Sequence, residues 1–214
     1  DLSLSSLAYA RRKTEELGVK NINYLQADIL DLWMLDNQFD IVESAGVLHH
    51  MAEPLTGWKV LTDCLKPAGL MKIGLYSELA RQHIIKIRSM IAAENILSHK
   101  KDMIQFRHKI VKYNDPKLNM LLRSGDFYTT STLRDLLFHV REHRFTLPQI
   151  SKVLDRLGLS FMGFETKNQA IIRDFEAIFP EPRAKYNLKK WHEYELSRPE
   201  LFLGMYQFWC QKVD

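Results

Sequence analysis

The chain has 214 residues, 46% hydrophobic and 26% charged, with a net charge of +4. That is enough apolar material for one ordinary domain, or a domain with a helical appendage, and it excludes a disordered chain. No apolar run reaches the roughly 20 residues of a membrane helix, no basic region followed by an apolar stretch stands at the N-terminus, and Cys64 and Cys210 are far apart in no metal-type spacing, which predicts a reducing, cytoplasmic setting and no metal site.

Taken in chain order, Leu4, Leu7, Ala8, Ala10 and Leu17 recur at helical spacing and Gly18 is a natural stop. Ile22–Ala27 predicts a strand that ends at Asp28. Phe39–Ser44 predicts a second strand, followed by the connection Val47–Met51. Pro54 opens a helix with Trp58, Leu61 and Leu65 inward, Lys66-Pro67-Ala68-Gly69 stops it, and Leu70–Tyr76 predicts a third strand. Helices alternating with strands imply parallel strands joined by crossovers, hence an α/β, doubly wound sheet with helices on both faces. Such a sheet needs central strands before the first helix, so the chain is expected to be a fragment cut ahead of Asp1.

From Glu78 to about Lys112 the pattern is helical, with Ile84, Ile87 and Ile91 recurring, and Asp115-Pro116 and Ser124-Gly125-Asp126 punctuate the chain beyond it. The stretch 79–160 is strongly basic, from Arg81, Lys86 and Arg88 to Lys152 and Arg156, with Lys117 among them. Such an excess suits a solvated helix surface, an anionic substrate or nucleic acid. Leu133–Phe138 is open between helix and strand. Leu147–Leu157 predicts a helix with Pro148 in its first turn and Gly158 at its end, and Leu159–Phe164 a late strand. The remainder, from about Gln169, reads as mostly helical and aromatic-rich, with Tyr206, Phe208 and Trp209 expected in packing rather than as a base-stacking platform. The expected parts are a core over 1–78, a mostly helical basic insertion over 79–146, a closing helix and strand over 147–168 and a helical extension over 169–214.

Ligands of open α/β sheets bind beyond the carboxyl ends of the strands. Polar groups fall there at Asp1, at Asp28 and at Glu43-Ser44. A carboxylate in such a place accepts hydrogen bonds from vicinal ribose hydroxyls, which suits Asp1; Asp28 suits an exocyclic adenine amine, with Ile29 against the base.

Asp1 with its helix, Gln26-Ala27-Asp28-Ile29, the run FDIVESAGVLHHM and the run LTDCLKPAGLMKIGLYS stand in one order and spacing. Together they resemble the successive motifs of class I S-adenosylmethionine-dependent methyltransferases over roughly the first 80 residues. The resemblance implies a Rossmann-like fold and S-adenosyl-L-methionine as cofactor. It implies that Asp1 and Leu2 border the ribose, that Asp28 and Ile29 hold the adenine, and that Glu43, Ser44 and Ala45 border the methionine end. The family's first strand and glycine-rich loop would precede Asp1, so weak cofactor binding by this chain is expected. STLRDLLFHVREHRFTLPQI resembles a bacterial methyltransferase subgroup, some of whose members are fused to tetratricopeptide repeats, so such a domain in the parent is a further expectation.

The implied reaction is in-line methyl transfer governed by alignment, with His50 and His49 as candidate bases. His139, Arg141, His143 and Arg144 form a second cluster that suits an anionic substrate. The expected acceptor is a small molecule or a protein side chain, with no membrane partner. RNA, reached through the basic segment, and a non-catalytic interaction module are the alternatives.

Overall fold

The structure is a computed structural model and describes every residue except 114, 116, 117, 119, 167 and 214. Expectations that touch Pro116 and Lys117 lie outside the described residues. Four strands form one mixed sheet: β1 (Phe39–Ala45), β2 (Leu65–Leu75), β3 (Leu159–Phe164) and β4 (Tyr206–Lys212), in the order β1-β2-β4-β3. β1 and β2 are parallel; β4 runs antiparallel to both β2 and β3.

The chain enters through α1 (Leu4–Glu16). Ser3 caps it by accepting from the Ser6 amide, and Arg11–Glu15 and Arg12–Glu16 pair along its outer side. None of its residues is buried. The expected strand at 22–27 forms no ladder. The segment is held by side-chain and terminal contacts instead: the Asp1 amino group donates to the Leu25 carbonyl, and Gln26 Nε2 donates to the Leu2 carbonyl. A strand needs a neighbour's amides and carbonyls, and β1 does not pair with this stretch.

α2 (Pro54–Asp63) begins at Pro54 and joins β1 to β2. β2 starts at Leu65, earlier than expected. Lys66–Gly69 does not stop a helix; it bulges within the strand, with a register shift against β1 and Ala68 at φ 58°. On one face of the sheet Ser44, Met71, Ile73, Tyr206 and Phe208 are buried; on the other, Glu43, Lys72 and Trp209 form a partly exposed row. The helices pack on the buried face: Trp58 and Leu61 of α2, Ile150 and Leu154 of α6 (Leu147–Leu157), Phe175 of α7 (Gln169–Ile178) and Trp191 of α8 (Leu188–Leu196) share one apolar core with the strands. Helices on both faces were expected. Among the described residues the core lies on one.

α6 follows its sequence cues closely. Thr146 and Gln149 make a reciprocal capping box, Pro148 sits in the first turn, and Gly158 ends the helix in the left-handed region at φ 65°. The expected C-terminal extension is helical through α7 and α8, but its last residues form β4, inserted between β2 and β3. The alternation of Tyr206, Phe208 and Cys210, all fully buried, is a strand period that the aromatic richness of the tail masks.

Residues 79–146 carry a second core. The single helical run expected from Glu78 to Lys112 divides into α3 (Gln82–Ala93) and α4 (Lys100–Lys112), with Asn95 at φ 51° in the turn between them. Thr130–Phe138 is helical, as α5. Ile84, Ile87, Met103, Phe106, Phe127 and Leu137 pack together apart from the sheet's core. The root of this unit is two adjacent chain crossings: the Glu78 amide donates to the Phe145 carbonyl and the Phe145 amide to the Tyr76 carbonyl, each at 2.9 Å.

Candidate functional site

The carboxyl end of β1 opens into a cleft of about 840 Å³, of the size that takes a cofactor-scale ligand. Asp1, Leu2, Asp28, Ile29, Glu43, Ser44 and Ala45 all line it, although they come from three separated stretches of chain. His50 and Arg141 line it too. His49, His139, His143 and Arg144 do not appear in its wall.

Each lining group has a local reason for its place. Asp28 caps a short 3-10 helix, Ile29–Leu35: one carboxylate oxygen accepts from the Leu30 amide at 2.9 Å. The Asp1 carboxylate accepts from the Ser3 amide at 2.8 Å. Glu43 is held by Lys72 at 3.1 Å, and Lys72 also reaches Glu165 at 3.1 Å; the two carboxylates raise the Lys72 pKa and keep it charged. Ser44 is buried and its hydroxyl has no hydrogen-bond partner, an unsatisfied polar group of the kind that marks functional walls.

The two adjacent histidines differ sharply. His49 is fully buried, and among the described residues neither ring nitrogen makes a hydrogen bond of good geometry, the nearby Gly74 backbone offering only a weak one. Its ring stacks on Tyr76 at 3.9 Å, and the Arg81 guanidinium lies over the Tyr76 ring at 3.6 Å. Burial first, then repulsion from His50 and Arg81, lowers the His49 pKa to about 3, so the ring is neutral. His50 is half-buried and faces the cleft. Its Nδ1 lies 2.9 Å from the Arg141 carbonyl. A carbonyl only accepts, so the proton sits on Nδ1 and the Nε2 lone pair is free. Burial also lowers the His50 pKa, with the bond to Arg141 opposing it.

The expected cluster at 139–144 is divided by its contacts. His139 stacks against His50 at 4.0 Å and places its Nδ1 2.7 Å from the same Arg141 carbonyl. The His143 amide donates to the His49 carbonyl at 2.8 Å. Arg144 pairs with Glu78 at 3.0 Å. Arg141 keeps a free guanidinium: among the described residues that group has no hydrogen-bond or ion-pair partner. Three of these four residues therefore brace the loop behind the wall, and only Arg141 presents a side chain to the cleft.

The sequence reading missed Glu142 and the apolar wall. The Glu142 side chain is buried and takes a bidentate pair from Arg81, at 3.0 and 2.7 Å, with Arg88 and Arg144 at 3.5 and 3.6 Å. Nothing in the run REHR singles it out from solvated charge. Val47, Met51 and Leu61 line the cleft beside Ile29. A Cβ at Gly57 would strike the Met51 thioether, so the Met51 side chain packs into the space that glycine leaves on α2. Adjacency to the histidines in VLHHM was the available signal for Val47 and Met51.

Comparison with known proteins agrees with this layout. Residues 1–73 match the family described as "Methyltransferase domain". An uncharacterized protein of Synechococcus sp. is 24% identical over 221 residues, covering 95% of this chain and 53% of that protein. The Rickettsia typhi protein PKMT2, solved in complex with AdoHcy, superposes with a TM-score of 0.69 at 15% identity, covering 99% of this chain and 43% of that one. YcgJ from Bacillus subtilis superposes with a TM-score of 0.50 at 14% identity, covering 100% and 81%. The chain thus spans about half the length of the Synechococcus relative and less than half of PKMT2. Residues 1–73 thus match a methyltransferase domain, and the chain as a whole shares the fold of PKMT2.

Proposed function

We propose that this protein is an S-adenosylmethionine-dependent methyltransferase acting on a small-molecule or protein side-chain acceptor, with cofactor and acceptor meeting in the cleft at the end of β1. The observation that carries the reading is the convergence of Asp1, Asp28, Ile29, Ser44 and His50 on one cleft from distant parts of the chain. Asp28 has one oxygen committed to the Leu30 amide and a second available to an adenine amine. Ile29 and Leu30 offer apolar contact for the base, and Asp1 a carboxylate for the ribose. The backbone of Glu43–Ala45 borders the methionine end.

When bound, the cofactor supplies an electrophilic methyl carbon on a sulfonium, whose sulfur leaves as a neutral thioether. The chain's own part is alignment and proton removal. The apolar wall of Val47, Met51 and Leu61 excludes water from one side. His50, with its proton fixed on Nδ1, takes the acceptor's proton on Nε2. Its lowered pKa keeps that nitrogen unprotonated at neutral pH.

RNA is the less favoured acceptor. Much of the basic excess of 79–146 is already engaged: Arg81 and Arg88 by Glu142, Lys86 by Asp115, Lys109 by Glu94, Arg144 by Glu78. We also propose that the cofactor binds this chain weakly unless the outer edge of β1 is covered, since Phe39 and Ile41 stand exposed beside the cleft floor.

The test is calorimetric titration of AdoHcy into the chain and into its Asp28→Ala and Asp31→Ala variants. Asp28→Ala should weaken binding about tenfold, roughly the 1–2 kcal/mol of a charge-assisted hydrogen bond, and the exposed Asp31→Ala should leave it unchanged. Saturable binding indifferent to Asp28 would remove the adenine assignment. No binding by the chain, or by a longer native polypeptide that contains it, would leave a non-catalytic interaction module.

A further inference from the structure

The cleft is lined by groups of both charges. Asp1, Asp28 and Glu43 form its acidic part, and Glu43 is paired with Lys72. Arg141 lines the same cleft, and its guanidinium has no protein partner among the described residues. The ground behind Arg141 is also cationic. Arg81, Arg88 and Arg144 gather on Glu142, and Arg144 reaches Glu78 as well. Three guanidinium groups therefore share two carboxylates, and among the described residues no acid pairs with Arg141.

Position adds to charge. The Arg141 carbonyl holds His50 Nδ1, so the residue carrying the free cation is the one that orients the candidate base. His139 packs on His50 from the other side, at 4.0 Å between rings. Arg141 and His50 line the same cleft, so a group bound by the guanidinium shares that space with the candidate base. An arginine fork selects the paired oxygens of a carboxylate or phosphate.

Resting on the methyltransferase reading above, we propose that Arg141 anchors the acceptor through a carboxylate or phosphate group, so that the acceptor is a small anionic molecule whose nucleophile faces His50. The acidic part of the cleft is left to the cationic cofactor, and the two ligands are sorted by charge. A cationic side chain such as an unmodified lysine would meet Arg141 with repulsion.

The experiment is titration of inorganic phosphate, and separately of acetate, followed by amide chemical shifts of the chain with and without saturating AdoHcy. Saturable shifts at residues 48–52 and 139–143 are expected from at least one anion, and its identity separates a phosphate acceptor from a carboxylate one. Arg141→Gln should weaken that binding at least tenfold, Arg141→Lys less, and Lys101→Gln on the exposed side of α4 not at all. AdoHcy affinity should be the same in all four proteins. Anion binding indifferent to Arg141→Gln overturns the proposal. So does a loss of AdoHcy affinity in Arg141→Gln with anion binding intact, which would give Arg141 to the cofactor. A single-stranded oligonucleotide that binds with steep salt dependence through Arg141, where free phosphate does not, would also overturn it in favour of RNA. Failure of AdoHcy to bind, with anion binding still dependent on Arg141, would count against the methyltransferase reading and leave the anion site standing.

Discussion

β1 and β2 are neighbours in one sheet with similar apolar content, yet they have opposite surroundings. β2 has Met71, Ile73 and Leu75 fully buried, and β4 pairs along its second edge. β1 pairs on one edge only and exposes Phe39 and Ile41, the latter at 58%. The same contrast holds for the helices that adjoin each strand: α6 and α8 bury apolar faces against the β2 side, whereas α1 buries none of its residues. A parallel strand with apolar residues on both faces is built for cover on both faces, and an open apolar edge invites another chain. The cleft opens at the carboxyl end of β1, the strand with the uncovered edge.

The largest effect should come from the root of the helical unit. Glu142→Gln leaves Arg81 buried without its bidentate partner and should cost about 3–5 kcal/mol in chemical denaturation. A loss below about 1 kcal/mol would mean that Arg88 and Arg144 do not depend on that carboxylate. Ile73→Ala, in the buried face of β2, should cost about 2–5 kcal/mol. The matching change on β1, Ile41→Ala, should cost under about 0.5 kcal/mol. Equal losses at Ile73 and Ile41 would break the contrast between the strands and imply that β1's edge is covered in solution, for instance by self-association visible in sedimentation.

The pH dependence sharpens the contrast inside the cleft wall. His49 has a folded pKa lowered from 6.5 to about 3. The folded state therefore resists a proton that the unfolded chain accepts below 6.5. The stability is fully present above 6.5 and is lost as pH falls toward 3, at about 1.4 kcal/mol per unit. Glu195, buried with its carboxyl pKa raised, acts in the opposite sense, being favoured when protonated. The difference between the wild type and His49→Phe isolates the histidine: the variant should match the wild type at pH 7.5 and gain on it steadily below 6.5. Parallel profiles would show that His49 takes up its proton as readily in the fold as in the unfolded chain.

His50→Gln should change stability least of the buried positions, because the ring is half-exposed, while lowering methyl transfer about 10²- to 10⁴-fold once an acceptor is in hand. Retained transfer would limit this histidine to packing against His139.

Local signals carried much of the fold. Thr146, Pro148, Gln149 and Gly158 wrote α6 into the chain, and Pro54 marked α2. The convergence of Asp28, Ile29 and Ser44 on one cleft was legible because ligands gather at strand ends and because their spacing resembles that of a family. β4 was not legible as a strand, since an aromatic-rich run reads alike in a buried helix and a buried strand until its partners are known. Ile22–Ala27 failed the other way: the pattern is strand-like, but a ladder requires a neighbour.

By itself, then, the sequence determined the caps and the periods, which depend on residues within a few positions of one another, and the family resemblance, which depends on the order and spacing of short motifs. Only the tertiary structure decided that Arg141, rather than Arg144 or His143, faces the cleft, that its carbonyl orients His50, and that Glu142 joins three arginines beneath them. Those choices turn on which charge finds a partner across 60 to 90 positions of chain. The energy of a buried ion pair or a fixed tautomer lies in that spatial pairing, and residue type and order carry no record of it.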